Sequence, residues 1–195
     1  MNDSNTNMTG IVLMCVAMGL FAANDTLVKL ISETLSAPQI LLLRGVFVCA
    51  FTLVWVIAAG YGRSIAQIRN PRVLLRSGLE AFAGITYFIA LANMQIAELT
   101  AVLLIAPLLI AAGAAVFYNE KISFGGWLAV AVGFIGMLLI VQPGTDHFSG
   151  YTLLGLASAV AIAGRDLITR KINTDVSSLV VCLAGGVALT LLGLI

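Results

Sequence analysis

The chain has 195 residues, of which 61% are hydrophobic and only 10% are charged. Soluble domains carry about 25% charged residues, so this composition excludes an ordinary water-soluble enzyme and favours a protein whose main partner is the lipid bilayer. Ten Lys and Arg against nine Asp and Glu give a net charge of +1, which excludes the basic surface of a nucleic-acid-binding protein.

Seven charge-poor stretches follow one another along the chain. A hydrocarbon core of about 30 Å requires about 20 helical residues, and each stretch is close to that length. The stretches lack period-2 alternation and are about twice as long as a barrel strand, which favours helices. The sequence therefore predicts an all-α, polytopic membrane helix bundle with spans over residues 10–32, 37–60, 74–94, 99–118, 124–142, 151–169 and 178–195.

Basic residues are concentrated on alternate connections between these spans. The second, fourth and sixth connections and their flanks contain Arg63, Arg69, Arg72, Arg76, Lys121, Arg170 and Lys171. The odd-numbered connections contain no Lys or Arg, but they do contain Glu33, Glu98, Asp146 and His147. Because cytoplasmic loops collect Lys and Arg, we expect a multi-pass inner-membrane protein with a cytoplasmic N-terminus.

A weak internal repeat relates the first and sixth spans. Asp25 with Lys29 in the first span matches Asp166 with Arg170 in the sixth, at an offset of 141 residues. A unit of that size holds five helices, and an odd number of helices makes the second copy enter the membrane from the opposite side. The alternative is that an acid and a base four residues apart simply pair on each helix.

The repeat divides the chain into two predicted units. Residues 1–145 form a first five-helix unit, and residues 146–195 form the first two helices of a second. The chain ends inside an apolar run with no polar flank, so we expect this second repeat to be incomplete by three helices.

Four segments carry a resemblance to a known family. They are Pro38 with Arg44, residues 97–101 leading to Ala106-Pro107, residues 119–123, and the glycines from Gly126 to Gly136 that precede residues 141–144. In this order they resemble the EamA-like family of drug/metabolite transporters. That resemblance implies ten helices in two inverted repeats, cytoplasmic termini and a substrate cavity between the repeats. One departure is that the offset carries Pro38 and Arg44 onto Leu179 and Gly185, so the pair is not repeated.

Intramembrane charges are the first candidate site residues, because each costs about 2.5 to 3.5 kcal/mol at a helix centre unless it finds a partner. Asp25 is the deepest acidic residue, about 22 Å along its helix from Gly10. It is a candidate for binding a cationic group or exchanging a proton. The alternative is a pair with Lys29 on the same helix face.

Four further residues complete the predicted substrate- or proton-binding set. Arg44 either binds a substrate carboxylate or anchors its helix at the membrane surface. Glu80 either joins the site or pairs with Arg76 four residues earlier. Tyr87 contacts either substrate or core, and Pro107 interrupts its helix either beside a cavity or as a packing kink.

These features favour a secondary transporter that moves a small polar or amphipathic metabolite by alternating access. The sequence has no GxxxxGK[ST] motif, so we expect proton coupling or exchange rather than ATP hydrolysis. An enzyme is not expected, since His147 is the only histidine and neither HExxH nor GxSxG occurs. We expect no cofactor and no metal. The alternative function is a non-transporting membrane partner or scaffold, and a homodimer is left open.

Overall fold

The computed structural model describes residues 3–142, 149–172 and 177–194, and every regular element in these ranges is a helix. The predicted all-α class is therefore confirmed. The boundary predicted at residue 145, with Pro143, Gly144, Asp146 and His147, lies outside the described residues. The elements are α1 (Asp3–Ile31), α2 (Ala37–Ala58), a 3₁₀ helix (Tyr61–Arg69), α3 (Pro71–Asn93), α4 (Ile96–Leu103), α5 (Ile105–Tyr118), α6 (Phe124–Val141), α7 (Gly150–Thr169) and α8 (Ser178–Gly193).

The helices have the length and composition of membrane spans. Five are long and apolar enough to cross a bilayer, namely α1, α2, α3, the combined α4 and α5, and α7. The remaining two, α6 with 18 residues and α8 with 16, are apolar but shorter. At about 1.5 Å per residue they measure about 27 and 24 Å, somewhat less than the hydrocarbon core.

Local sequence signals explain several helix ends. Asn70 precedes α3 and its side chain accepts a hydrogen bond of 3.0 Å from the backbone N–H of Arg72, while Pro71 occupies the first helical position. Ser123 caps α6 in the same way, accepting from Gly126 at 3.2 Å. At the end of α5, Asn119 adopts a left-handed conformation with φ 53°. These polar residues separate apolar runs that would otherwise merge.

The fourth span is broken between Leu103 and Ile105. Pro107 accounts for the position of the break, since proline lacks an N–H and its ring clashes with the carbonyl four residues earlier, here that of Leu103. The interruption predicted from Pro107 is thus confirmed, one turn before the proline itself. The side chain of Pro107 is exposed rather than packed into the core.

Two apolar clusters form the core. The first joins α1, α2, α3, α4 and α8 through Val28, Ile40, Leu41, Phe88, Ala90, Leu91, Met94, Leu99 and Leu189. The second joins α4, α5, α6 and α7 through Val102, Ile105, Ala106, Met137, Val141 and Ala159. Helix α1 contributes only Val28, near its C-terminal end, and leaves most of its apolar side chains exposed.

Helices α2 and α8 approach each other most closely at glycines. A Cβ atom added to Gly45 would lie 2.6 Å from the backbone N of Thr190, and one added to Gly193 would lie 2.7 Å from Cα of Leu42. A Cβ on Gly186 would lie 3.0 Å from Sγ of Cys49. Small residues therefore allow the two backbones to touch, as at other tight helix crossings in membranes.

This contact generates a stability prediction. Gly45→Ala should force α2 away from α8 and lower the free energy of unfolding by about 1 to 3 kcal/mol, the usual effect of overpacking. Thermal unfolding of the purified protein in detergent measures the effect. Gly136→Ala is the matched control, since nothing lies within 4 Å of a Cβ there. Equal unfolding temperatures for the two variants would contradict the close packing.

Candidate functional site

Helix α3 carries a polar stripe along one face. Arg76, Glu80, Gly84 and Tyr87 follow at intervals of four, four and three residues, which places them on the same side of the helix. Two groups of polar side chains from other helices meet this stripe, one near Glu80 and one near Tyr87. We call them the Glu80 cluster (Arg76, Glu80, Arg165 and Asp166) and the Tyr87 cluster (Asp25, Arg44, Tyr87 and Phe88).

The Tyr87 cluster joins α1, α2 and α3. The phenol of Tyr87 on α3 lies within electrostatic range of the carboxylate of Asp25 on α1 and of the guanidinium of Arg44 on α2. The guanidinium carbon of Arg44 lies 5.6 Å from the centroid of the Phe88 ring, a cation–π contact. The amide of Asn24 donates to Asp25, at 3.4 Å. Three predicted site residues that are far apart in sequence thus come together.

Lys29 fixes how α1 lies against α3. Its Nζ donates to the carbonyl oxygens of Leu91 at 2.6 Å, Ala92 at 3.0 Å and Met94 at 2.7 Å. The last carbonyls of a helix have no intrahelical partner and form its negative end, so a cation there is stabilising. The ammonium therefore binds the end of α3 rather than Asp25.

The binding of Lys29 at the end of α3 sets the register of α1 along α3, and this register places Asp25 level with Tyr87. Asp25 lies one turn before Lys29 on α1, and Tyr87 lies one turn before Leu91 on α3. Once Lys29 is bound at the end of α3, the carboxylate and the phenol are at the same level.

The opposite charges in the Tyr87 cluster are not paired with each other. Within the described residues, the ion pairs join Arg76 to Glu80, Arg165 to Glu80 and Asp166, and Arg170 to Glu120. Neither Asp25 nor Arg44 belongs to this set. Among the described residues, both therefore carry a charge that no ion pair neutralises, on helices that are apolar enough to cross a membrane.

The Glu80 cluster is, in contrast, an ion-pair network between α3 and α7. Glu80 forms an ion pair with Arg76 at 3.2 Å and accepts a hydrogen bond from Arg165 at 3.1 Å, and Arg165 also binds Asp166 at 2.8 Å. Arg76 further donates from Nε to the hydroxyl of Thr169 at 3.1 Å. The predicted pair of Arg76 with Glu80 is confirmed. Sequence reasoning missed the bridge to Arg165, although an arginine inside an apolar span signals that a carboxylate is needed nearby.

A layer of apolar side chains separates the two clusters. A Cβ on Gly84 would lie 2.9 Å from a methyl of Leu189 and 3.2 Å from a methyl of Leu41, and both leucines are buried. Glu80 and Tyr87 are seven residues apart, about 10.5 Å along the helix. The polar stripe of α3 is therefore interrupted halfway by two apolar side chains from α2 and α8.

Of the remaining predicted residues, Pro107 is exposed on α5 and belongs to neither cluster. The turn containing Glu120 connects helices: its carboxylate binds Arg170 at 3.2 Å at the end of α7. Next to it, the hydroxyl of Tyr118 donates to the carbonyl of Leu167, and Lys171 lies 4.7 Å over the Tyr118 ring. These contacts hold the ends of α5 and α7 together. No group of His, Cys, Asp and Glu suitable for a metal occurs among the described residues.

Comparison with known proteins identifies the family. The sequence model of the EamA-like transporter family matches residues 8–142, which cover α1 to α6. The chain belongs to this family. The expectation drawn from Pro38, Arg44 and Pro107 is therefore confirmed at the level of the family.

Individual relatives are distant. The chain is 27% identical over 166 residues to the pseudopaline exporter CntI of Pseudomonas aeruginosa, covering 85% of the chain and 58% of that protein. It is 28% identical over 173 residues to the S-adenosylmethionine uptake transporter of Rickettsia conorii, covering 88% of the chain and 58% of that protein. A riboflavin transporter of Rhizobium johnstonii is 32% identical over 101 residues, 52% of the chain and 32% of that protein. No solved structure matches the chain.

Two consequences follow from these comparisons. The family consists of transporters, so the protein is a membrane transporter homologue rather than an enzyme. The chain spans 58% of the length of the first two relatives, so the activity of the complete relatives is not transferred to it directly.

The Glu80 cluster generates a second prediction. Glu80→Gln removes the acid that bridges Arg76 and Arg165 among the described residues, leaving Arg76 without an ion pair there and Arg165 with Asp166 alone. Breaking a buried pair is costly, and partial exposure reduces the cost to about 1 to 3 kcal/mol. Thermal unfolding in detergent measures it.

The matched control for Glu80 is Glu120→Gln, which breaks the exposed pair with Arg170. Exposed pairs contribute about 0 to 1 kcal/mol, so this variant should unfold close to the unsubstituted protein. If Glu120→Gln lowered the unfolding temperature as much as Glu80→Gln, the bridging role of Glu80 would be wrong.

Proposed function

We propose that the protein acts in secondary transport of a small polar or amphipathic metabolite, with the Tyr87 cluster as its substrate- or proton-binding site. The observation that carries the proposal is the pair of unmatched charges, Asp25 and Arg44, held on different spans around one phenol. Charges that cost free energy in lipid are retained where they bind an ion or a substrate. Membership of a transporter family supports the same conclusion.

We further propose that the chain consists of an inverted five-helix unit and the start of a second, divided near residue 145. The contacts between α2 and α8 support this arrangement. With the offset of 141 subtracted, Thr190 corresponds to position 49 and Gly186 to position 45. The contacts of Gly45 with Thr190 and of Cys49 with Gly186 are then the same pair of positions with the roles exchanged.

The third contact fits the same symmetry. With the same subtraction of 141, Gly193 corresponds to position 52, and it lies against Leu42. Positions 42 and 52 are placed symmetrically about position 47. Positions 45 and 49 are placed symmetrically about the same position. Such reciprocal contacts are typical of a two-fold axis, here one that passes between α2 and α8. Inverted repeats of transporters are related by an axis of this kind in the membrane plane.

Alternating access follows from this symmetry. Two units that meet at a two-fold axis can rock against each other, which exposes a site near the axis first to one side of the membrane and then to the other. The exposed face of α1 is explained in the same way. Its counterpart α7 packs tightly on α3 in this structure, so we expect α1 to pack on the counterpart of α3 in a complete second unit.

Asp25 is the proposed proton-coupling group, because its carboxylate can be neutralised by a proton when no cation is bound. Asp25→Asn should lower solute uptake driven by a pH gradient by about tenfold or more, as expected for the loss of one charged hydrogen bond. Labelled S-adenosylmethionine and riboflavin are the probes, taken from the relatives. Proteoliposomes containing the complete chain, with an internal pH dye, report solute and proton together.

Glu33→Gln is the control, because Glu33 is an exposed acid in the turn after α1 and lies outside both clusters. Full pH-dependent uptake by Asp25→Asn would reject Asp25 as the coupling group. Reconstituted chain that moves neither probe and no protons, but binds another membrane protein, would instead support the scaffold function.

We also propose an orientation for the chain. It lies in the inner membrane, with its N-terminus and the arginine-bearing 3₁₀ helix on the cytoplasmic side. Single cysteines introduced as Thr34→Cys and Ala66→Cys, with the three native cysteines changed to Ser, test it. An impermeant maleimide should label position 34 in intact cells and position 66 only after permeabilisation. Labelling of position 66 in intact cells would reverse the assigned orientation.

A further inference from the structure

We propose that a cavity between the ends of α3, α5 and α7 binds an anionic phospholipid, with the lipid phosphate on Arg72 and Lys171 and an acyl chain along the apolar wall. The cavity has a volume of about 340 Å³. None of its lining residues belongs to the Glu80 cluster or the Tyr87 cluster. This lipid site is therefore separate from the proposed transport function.

Printed contacts of three helices hold the two cations beside this cavity. Nη1 of Arg72 donates to the carbonyl oxygen of Lys171 at 3.0 Å, which joins the start of α3 to the end of α7. The ammonium of Lys171 lies 4.7 Å from the centroid of the Tyr118 ring, and the Tyr118 hydroxyl donates to the carbonyl of Leu167. Helix α5 is thus attached to α7 at the same level. Because Arg72 and Lys171 line one cavity, a single anionic group placed there contacts both.

Both cations keep their charge available for a ligand. Neither Arg72 nor Lys171 takes part in an ion pair within the described ranges. Arg72 uses one guanidinium nitrogen for the Lys171 carbonyl, so most of its N–H donors stay unused. Lys171 contacts an aromatic ring, which attracts a cation without neutralising it. The nearby acid Glu120 is bound by Arg170 at 3.2 Å.

The charges of the cavity therefore favour an anion. No Asp or Glu is among its described lining residues, so the two positive charges are not offset there. A guanidinium beside an ammonium is a combination that proteins use to bind phosphate, since arginine binds it in a bidentate manner and lysine as a point charge. We infer that the anionic group of the ligand is a phosphate.

The wall of the cavity becomes apolar with depth. Leu75 lies one turn after Arg72 on α3, and Leu167 lies one turn before Lys171 on α7. Helix α3 begins at Pro71 and α7 ends at Thr169, so the cations lie at the helix ends and the leucines lie deeper in the membrane. Lys and Arg snorkel to the membrane surface near helix ends, and Tyr is frequent at that level. The cavity is thus charged at headgroup depth and apolar towards the hydrocarbon.

This gradient matches a phospholipid better than a soluble phosphate. Leu75 is 58% exposed and Phe117 is 70% exposed, so the apolar wall is open to further contact. A soluble anion would leave that wall uncovered, whereas a phospholipid covers it with an acyl chain while its phosphate meets the cations. Basic pockets between membrane helices bind anionic headgroups in this way. Phosphatidylcholine has the same phosphate but adds a cation, so it should bind more weakly.

The test measures lipid contact at the cavity itself. Phe117→Trp, combined with Trp55→Phe and Trp127→Phe, gives a full chain whose one tryptophan lines the cavity. Trp55→Phe alone leaves Trp127, which is exposed on α6 and outside the cavity, as the matched reporter. Each chain is reconstituted in phosphatidylcholine vesicles that contain brominated phosphatidylglycerol or brominated phosphatidylcholine, and fluorescence quenching gives the relative affinity. Phosphatidylglycerol should be preferred by about tenfold or more at position 117, and the two lipids should quench Trp127 about equally.

Substitutions of the cations assign this preference to residues. Lys171→Gln and Arg72→Gln in the position-117 reporter should each lower the preference by about fivefold. Lys171→Arg should keep it, because the charge remains. The Lys171 side chain donates no hydrogen bond within the described residues, so its loss removes charge without breaking a bond between helices. Arg69→Gln is the matched control: it removes one exposed charge outside the cavity and should keep the preference.

The lipid site is rejected if the two brominated lipids quench position 117 equally, if Trp127 shows the same preference as position 117, or if Lys171→Gln and Arg72→Gln both keep the preference. A further arm adds inorganic phosphate or glycerol phosphate at millimolar concentration to the position-117 reporter, and the quenching by phosphatidylglycerol should not change. Displacement of the lipid by either soluble anion would assign the cavity to a free phosphate and overturn the proposal. The readout is lipid contact, so absence of solute uptake does not alter it.

Discussion

The contact on which the candidate site depends is the ammonium of Lys29 at the end of α3. Helix α1 adds only Val28 to the core, so apolar packing alone holds it weakly. Three charge-assisted hydrogen bonds to unpaired carbonyls supply the missing attachment, and they do so at a fixed height. Without them α1 could slide or rotate along α3, and Asp25 would not stay opposite Tyr87.

The proposed offset of 141 residues would place parts of the two clusters at corresponding positions. It carries Asn24 onto Arg165, Asp25 onto Asp166 and Lys29 onto Arg170. The residue before Asp166 is Arg165, which forms an ion pair with Asp166 at 2.8 Å. The residue before Asp25 is Asn24, which donates a hydrogen bond to Asp25 but carries no charge. Under the proposed repeat, Asn24 therefore stands at the position where Arg165 pairs with Asp166.

Most of the fold could be predicted from the sequence because lipid imposes a length on each span and excludes charge from it. The pair of Arg76 with Glu80 was also predictable, since both lie on one helix four residues apart. The contacts of Lys29 with Leu91, of Arg165 with Glu80 and of Arg44 with Phe88 were not. Each joins different helices across 44 to 85 residues, and periodicity does not record which helices become neighbours.

The same limit applies to the placement of Pro107. Pro107 in the sequence predicts a broken helix, and the break is present. Only the structure of α5 reveals that the proline ring is exposed and belongs to neither cluster. A proline can therefore shape a span without contacting either polar cluster. Asp25, Arg44 and Tyr87, which have no shared sequence motif, come together because three helices converge at one level.

The two leucines packed over Gly84 keep the two clusters apart. They interrupt the polar stripe of α3 between Tyr87 and Glu80, although only about two helical turns lie between these residues. Leu41 and Leu189 belong to α2 and α8, the helices that touch at their glycines. The apolar layer between the clusters is therefore built from the same two helices whose backbones touch, so a single helix contact both closes the bundle and keeps the two groups of charges apart.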